Sequence, residues 1–253
     1  MISYIGNMGV LIGNDRQAVL IDGFHKEYGS EYLFPSDSVI KKIIGGEYDE
    51  FATIDIAIAT HQHKDHFDPS YFHSFLDFNK SSVAIISPQI KEVLNTEIEE
   101  QKSDLQKRIK TPGYDGKVYD FNHEGIEIKA FQCDHANPSR HKAIENTAYI
   151  INIKGVSVLH VGDSNWDVVE KHLISHHELL KHLDVAILPY WMLLDEKSIE
   201  LVERLINPEN LIATHIPPNF EEGQKKSISK NFQNVMFFTK IGHAIEVQDI
   251  RTR

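Results

Sequence analysis

The residues best equipped for chemistry stand together in Thr60-His61-Gln62-His63-Lys64-Asp65-His66-Phe67-Asp68. Three imidazoles and a carboxylate, at 61, 63, 65 and 66, arrive within six residues. Imidazole nitrogens and carboxylate oxygens are the donors that zinc and comparable divalent ions prefer. In a chain of 15 histidines, a polar turn can hold one by chance. Three with an aspartate, directly behind a buried strand, have few structural uses. Without an ion they repel on protonation and lose hydration with nothing in return. The run predicts a metal site.

Elements must then hold that run in place. Residues 54–59, IDIAIA, are apolar and β-branched and read as a buried strand. His61 and His63, two apart, share a face where strand geometry persists. Asp65 and His66 fall in the following turn, and Asp68-Pro69-Ser70 reads as a helix start, with Asp68 as its cap. Before this run, residues 10–12 and 18–21 form a predicted hairpin around Gly13-Asn14-Asp15, and Asp22-Gly23 ends the second strand. Residues 24–50 read as a long loop with a short helix at 36–44, and loops of that length often cover a site. Further strands are expected at 83–87, 117–121, 126–133, 147–154, 156–161, 185–188, 211–213, 235–238 and 244–247. Helices are expected at 69–78, from 88 onward, at 168–173, 176–182 and 196–205. The charged stretch 97–110 reads as an exposed helix, its alternative being an acidic partner held by Lys102, Lys107, Arg108 and Lys110. No repeat, low-complexity tract or linker interrupts the chain. The expectation is one domain over residues 1–253, with two sheets packed together and helices outside.

Four apolar runs end in a ligand-type residue: 54–60 in His61, 126–133 in Asp134-His135, 156–161 in Gly162-Asp163, and 211–214 in His215. In layered αβ proteins, sites assemble at that edge. With His63, Asp65 and His66 the candidate ligands number seven, five histidines and two aspartates. That is too many for one tetrahedral ion with an open position and suits two ions sharing a carboxylate. Asp163 alone would read as a turn and helix cap in Gly-Asp-Ser-Asn; in register with the others it reads as a bridge.

The ordered set His61-x-His63-x-Asp65-His66, His135, Gly162-Asp163 and Ala213-Thr214-His215 resembles the metallo-β-lactamase superfamily of binuclear metallohydrolases. The opening Gly6-Asn7-Met8-Gly9-Val10-Leu11-Ile12 and Leu20-Ile21-Asp22-Gly23 also resemble that family's N-terminal hairpin. The resemblance implies an α/β, four-layer αββα sandwich of two mixed sheets flanked by helices. It implies that His61, His63 and His135 hold one ion, that Asp65, His66 and His215 hold the other, and that Asp163 bridges them. Asp65 is the implied catalytic residue, orienting the nucleophile.

Departures narrow this resemblance. β-Lactam-destroying members carry a cysteine where this chain has Asp163, and the sole cysteine, Cys133, lies two residues before His135. β-Lactam hydrolysis is therefore not the expected activity. Flavodiiron members have glutamate in place of His63 and carry a flavin domain. RNA-processing members have a nucleic-acid insert or basic arm, and thioester-hydrolysing members a helical C-terminal domain. None of these is seen here. What remains resembles the compact lactonase and phosphoesterase-like members.

Composition agrees with this reading. With 41% hydrophobic and 25% charged residues the chain is ordinary for a globular protein, and the formal charge of −11 disfavours a nucleic-acid surface. There is no apolar run long enough to span a bilayer and no signal segment, so the cytoplasm is the default expectation; a processed precursor would read the same. Around the site, Tyr190, Trp191 and Met192 could wall a pocket or pack as core, and Asn137, Arg140, His141 and Lys142 could bind a substrate anion or be solvated. Cys133 reads as packed, His160 as packed or hydrogen-bonded to a ligand, His172, His176, His177 and His182 as surface residues, and His25 as a surface residue or one facing the site from its loop. Tyr32-Leu33-Phe34-Pro35 could be a contact between subunits, which nothing demands. The expected protein is a metal-dependent hydrolase of a small, anionic ester, lactone or phosphoester. Its cofactors would be two divalent ions, zinc first, with manganese and iron accepted by the same donors. The rivals are a mononuclear iron enzyme of oxygen or sulfur chemistry and a non-catalytic metal-binding protein.

Overall fold

Period-two alternation sorts the apolar runs into faces, and burial of both faces fixes where each strand lies. The computed structural model describes residues 1–47, 54–97 and 103–247. Among these residues the strands are β1 (Ile2–Gly6), β2 (Gly9–Gly13), β3 (Ala18–Ile21), β4 (Ile56–Ala59), β5 (Val83–Ile86), β6 (Ile109–Lys110), β7 (Val118–His123), β8 (Ile126–Gln132), β9 (Thr147–Ile153), β10 (Val156–His160), β11 (Val185–Pro189), β12 (Asn210–Thr214), β13 (Val235–Phe237) and β14 (Ala244–Ile245). The α-helices are α1 (Asp37–Gly45), α2 (Pro69–Phe78), α3 (Pro88–Glu97), α4 (Ser103–Arg108), α5 (Pro138–His141), α6 (Trp166–Ser175), α7 (Tyr190–Leu194), α8 (Ser198–Leu201) and α9 (Glu222–Asn231). One sheet has the order β14-β1-β2-β3-β4-β5-β6 and the other β13-β12-β11-β10-β9-β8-β7. Both are mixed.

The sheets meet through one alternate set of side chains, including Val19, Ile21, Ile56 and Ile58 from the first and Ile128, Ile151, Ile187 and Ile212 from the second. The complementary set packs outward. Leu20, Ala57 and Ala59 lie with Phe72, Phe75 and Leu76 of α2, while Leu159, Ala186 and Ala213 lie with Val169 and Leu173 of α6. This is the expected αββα sandwich. The helix at 36–44 is α1, capped by Ser36 accepting from the Val39 amide, and Asp68 caps α2 by accepting from the Tyr71 amide.

Some expectations change. The predicted strand 244–247 shortens to β14, and helix 196–205 becomes α8 running into a π-helical turn, Val202–Ile206. Within 97–110, α4 passes straight into β6, and residues 98–102, including Lys102, lie outside the described set. Arg108 is not an exposed cation. Its guanidinium donates to the carbonyls of Leu76, Asn79 and Ser82 at 2.6, 3.1 and 2.8 Å, closing the C-terminal end of α2. Among the described residues no helix is long and apolar enough to cross a membrane.

Candidate metal centre

β3, β4, β8, β10 and β12 all run towards one end of the sandwich, through parallel pairings or an intervening antiparallel strand. The residues just beyond those ends form the candidate site. It contains all seven residues singled out from the sequence, sorted into two groups. His61, His63 and His135 form one; Asp65, His66, Asp163 and His215 form the other, and within each group the donor atoms lie within 4.8 Å of one another. The first group follows β4 and β8, and the second follows β4, β10 and β12. Each group thus draws on both sheets.

The donors fit an ion by their own hydrogen bonding. His61 Nε2 and His135 Nε2 are buried without a hydrogen-bond partner, and the buried Asp163 Oδ1 and His215 Nε2 meet only other members of the candidate site. A buried polar atom left so is costly unless something else satisfies it. The opposite ring nitrogens are anchored. His135 Nδ1 donates to the Ala136 carbonyl at 2.7 Å, and His66 Nδ1 donates to Asp22 Oδ2 at 2.9 Å. His61 Nδ1 lies 3.1 Å from Thr60 Oγ1, which itself donates to Asp22 Oδ2 at 2.7 Å. The Nε2 atoms of His61 and His135 are thereby left facing the group with their lone pairs, the arrangement by which proteins orient metal-binding imidazoles.

Charge points the same way. Asp163 Oδ1 lies 3.2 Å from His66 Nε2 and its Oδ2 3.2 Å from His215 Nε2. Asp163 Oδ2 also comes within 4.0 Å of His135 Nε2, so it faces both groups. Burial alone would raise the Asp163 carboxyl, yet His215 and His66 hold it well below the usual carboxylate range. Burial would lower His215, but Asp163 beside it lifts the imidazole to about 9. The second group is anionic enough to demand positive charge. In the first group, burial and neighbouring imidazoles push His61 well down and His63 to about 4, so both are neutral near pH 7, the form in which an imidazole binds metal.

Two contributors escape a reading of the sequence. Asp22, beyond β3, accepts from the Thr60 amide and hydroxyl and from His66. It ends a strand as His61 and Asp163 do, and that shared position is the signal that could have found it. Asn7, at the β1–β2 turn with φ of 48°, donates from Nδ2 to Asp65 Oδ2 at 3.0 Å, while its carbonyl accepts the His215 amide. His141, which the sequence offered only as an anion-binding or solvated residue, packs at the first group, its ring tilted against His135 at 4.6 Å and edge-on to His63 at 4.8 Å.

Other expectations resolve. Residues 24–36 do reach the site: the Tyr32 ring meets His215 edge-on at 5.2 Å. The Trp191 ring lies 4.7 Å from His215, whereas Met192 is core. His25 is not a surface residue. It is fully buried with Nδ1 2.9 Å from the Asp22 carbonyl. His172 is likewise buried rather than surface, its Nε2 3.1 Å from Asp134 Oδ2. His160 packs as expected, with Nε2 3.0 Å from the Met8 carbonyl, and Cys133 is buried.

Known proteins share this architecture. A "possible metal-dependent hydrolase" from Veillonella parvula aligns at 19% identity and a TM-score of 0.66, covering 96% of this chain and 98% of that one. Isothiocyanate hydrolase from Delia radicum gut bacteria aligns at 12% identity and a TM-score of 0.63, covering 97% and 99%. The metallo-beta-lactamase fold protein YhfI from Bacillus subtilis aligns at 13% identity and a TM-score of 0.60, covering 96% and 97%. No curated protein matches the chain in sequence. The model of the Beta-lactamase superfamily domain matches residues 1–215, which take in every donor from His61 to His215, and the chain belongs to that superfamily.

Proposed function

We propose that this protein is a binuclear metal-dependent hydrolase of a small ester, lactone or phosphoester. His61, His63 and His135 would hold one ion, Asp65, His66 and His215 the other, and Asp163 would serve both. Zinc is the first choice for these donors, and manganese and iron also suit them. The supporting observation is the pair of buried donor groups with Asp163 facing both.

Bound divalent ions supply Lewis-acid polarisation and acidify water, the chemistry of hydrolysis near neutral pH. The chain's own residues do the rest. Asp65 is fixed by Asn7, which donates to both its side chain and its main-chain carbonyl, the latter at 3.2 Å. Burial raises the Asp65 carboxyl, but His66 and His215 bring it below the usual value, so it is ionised at working pH. An ionised carboxylate held in this way orients the attacking water by accepting its hydrogen. Trp191 and Tyr32 line the His215 side of the site.

Metal stoichiometry on protein purified without chelator or added metal tests this, paired with a screen of chromogenic esters, lactones and phosphodiesters. Two divalent ions per chain and hydrolysis are expected. Asp65→Ala should lower kcat by about a hundredfold or more, with a much smaller change in KM. One iron per chain without hydrolysis would instead favour oxygen or sulfur chemistry. Metal binding with no turnover of any substrate class would make the protein a binder.

A further inference from the structure

A cavity of about 500 Å³ opens beside the first donor group, its wall including His135, His141, Lys142, Ile144, Val168 and Lys171. This volume is in the range of small-molecule sites. His135 belongs to both cavity and donor group, and the His141 ring lies tilted against it at 4.6 Å, so the cavity adjoins the first donor group through these two residues.

The charges there do not all cancel. Asp134 also lines the cavity, but both its oxygens are engaged. Oδ1 accepts from the Tyr114 hydroxyl at 3.0 Å and from Gln132 Nε2 at 2.7 Å. Oδ2 takes Lys171 Nζ at 2.6 Å and faces His172 Nε2 at 3.1 Å. Asp134 and Lys171 therefore neutralise each other. Lys142, exposed at the rim, has no ion pair among the described residues. Pro138, Ile144 and Val168 give the remaining wall an apolar surface.

We propose that this cavity is a substrate subsite for a carboxylate carried on a short apolar arm, with Lys142 as its counter-charge and Ile144 and Val168 against the arm. The inference rests on the hydrolase reading and specifies which substrates it favours. One uncompensated ammonium matches a monoanion, whereas a phosphomonoester would bring nearly two charges near pH 7. Lysine acts as a point charge and needs no planar partner, which suits a rim residue on a flexible stem.

Two measurements on the metal-loaded protein test this. The first compares kcat/KM for 4-nitrophenyl esters whose acyl arm ends in a carboxylate or in its neutral methyl ester. The second follows binding of hexanoate by saturation-transfer NMR. The wild type should prefer the anionic ester. Lys142→Glu should cut that preference about tenfold, because an attraction becomes a repulsion of similar size. Lys142→Arg should retain it, and the distant exposed control Lys230→Glu should leave both esters unaffected. Hexanoate binding should weaken in Lys142→Glu, a change that carboxylate binding to the ions alone would not show. An anionic preference and hexanoate affinity that are both indifferent to Lys142→Glu would overturn the subsite. Failure to hydrolyse either ester or any lactone or phosphodiester of the screen, with hexanoate binding still dependent on Lys142, would uphold the subsite and overturn the hydrolase reading.

Discussion

Asp22 supplies no donor to either candidate ion group, yet one carboxylate reaches a ligand of each. Through Thr60 Oγ1 it fixes His61, and directly it fixes His66. Asp22→Asn would keep the shape but replace one acceptor oxygen with an amide donor, upsetting the tautomer of His66. Metal affinity should fall roughly ten- to a hundredfold, read by competition with a chromophoric chelator, while the thermal midpoint of the chelated protein changes little. An unchanged affinity would show that the ligands orient themselves. His25, next to this network, makes a different prediction. Burial pushes its imidazole down to about 4. It therefore folds neutral, while the unfolded chain takes up a proton below about pH 6.5. Stability should be lost as pH falls from about 6.5 towards 4, by about 2 kcal/mol at pH 5 from this group. The candidate ligand histidines His61, His63 and His135 shift in the same direction, so the discriminating quantity is the shallower slope of His25→Gln in denaturant midpoints between pH 7.5 and 4.5. Parallel slopes would mean that His25 does not titrate on unfolding. The candidate ligands were legible because each stands a residue or a few beyond an apolar run. Asp22 and Asn7 were not, because they work through contacts spanning 38 and 58 residues of chain.

The strand-to-turn junctions decide whether those side chains converge. Asp163 follows Gly162, which sits at φ of 60°. A Cβ at Gly162 would run into Asn146 Oδ1 and lie 2.8 Å from Thr60 Cβ. Asn146 itself is committed, donating to the carbonyls of Cys133 and Val161, so it ties the ends of β8 and β10 together. Gly162→Ala should thus cost more than the usual 1–2 kcal/mol of a left-handed alanine. It should also displace Asp163, lowering metal occupancy along with the thermal midpoint. A variant that melts early but still loads two ions would separate the strain from the site. The sequence Val-Gly-Asp announced a turn, and the buried runs at 18–21, 54–59 and 211–214 announced their strands through alternation. β6 has only two residues, too few for any period to show, and the π-helical turn after α8 carries no periodic signal distinct from an α-helix. The buried positions of His25 and His172 were hidden for a related reason, since each is enclosed by elements distant in sequence.

Across the whole molecule, the candidate centre joins the two sheets at one end. The segment after β4 brings His61, His63, Asp65 and His66 from the first sheet, and His135, Asp163 and His215 come from the second. Elsewhere the sheets are held by the apolar layer between them, whose energy is spread over many aliphatic contacts. At the site they meet through polar groups that are unsatisfied, or in like-charge contact, unless an ion is present. Bound ions should therefore act as folding ligands for the whole chain. At a metal concentration a thousandfold above the dissociation constant, each adds about 4 kcal/mol to the native state. In a chain of 253 residues each kcal/mol moves the midpoint by roughly 2–4 °C. Removing one such ion with a chelator should thus lower the melting temperature by about 8–16 °C, and adding excess divalent metal should restore it. Asp163→Ala, which removes the carboxylate facing both groups, should melt near the chelated wild type and respond little to added metal. A melting temperature insensitive to chelation, on protein whose metal content has been shown to fall, would mean that the apolar layer alone holds the sheets in register and that the ions serve only the chemistry.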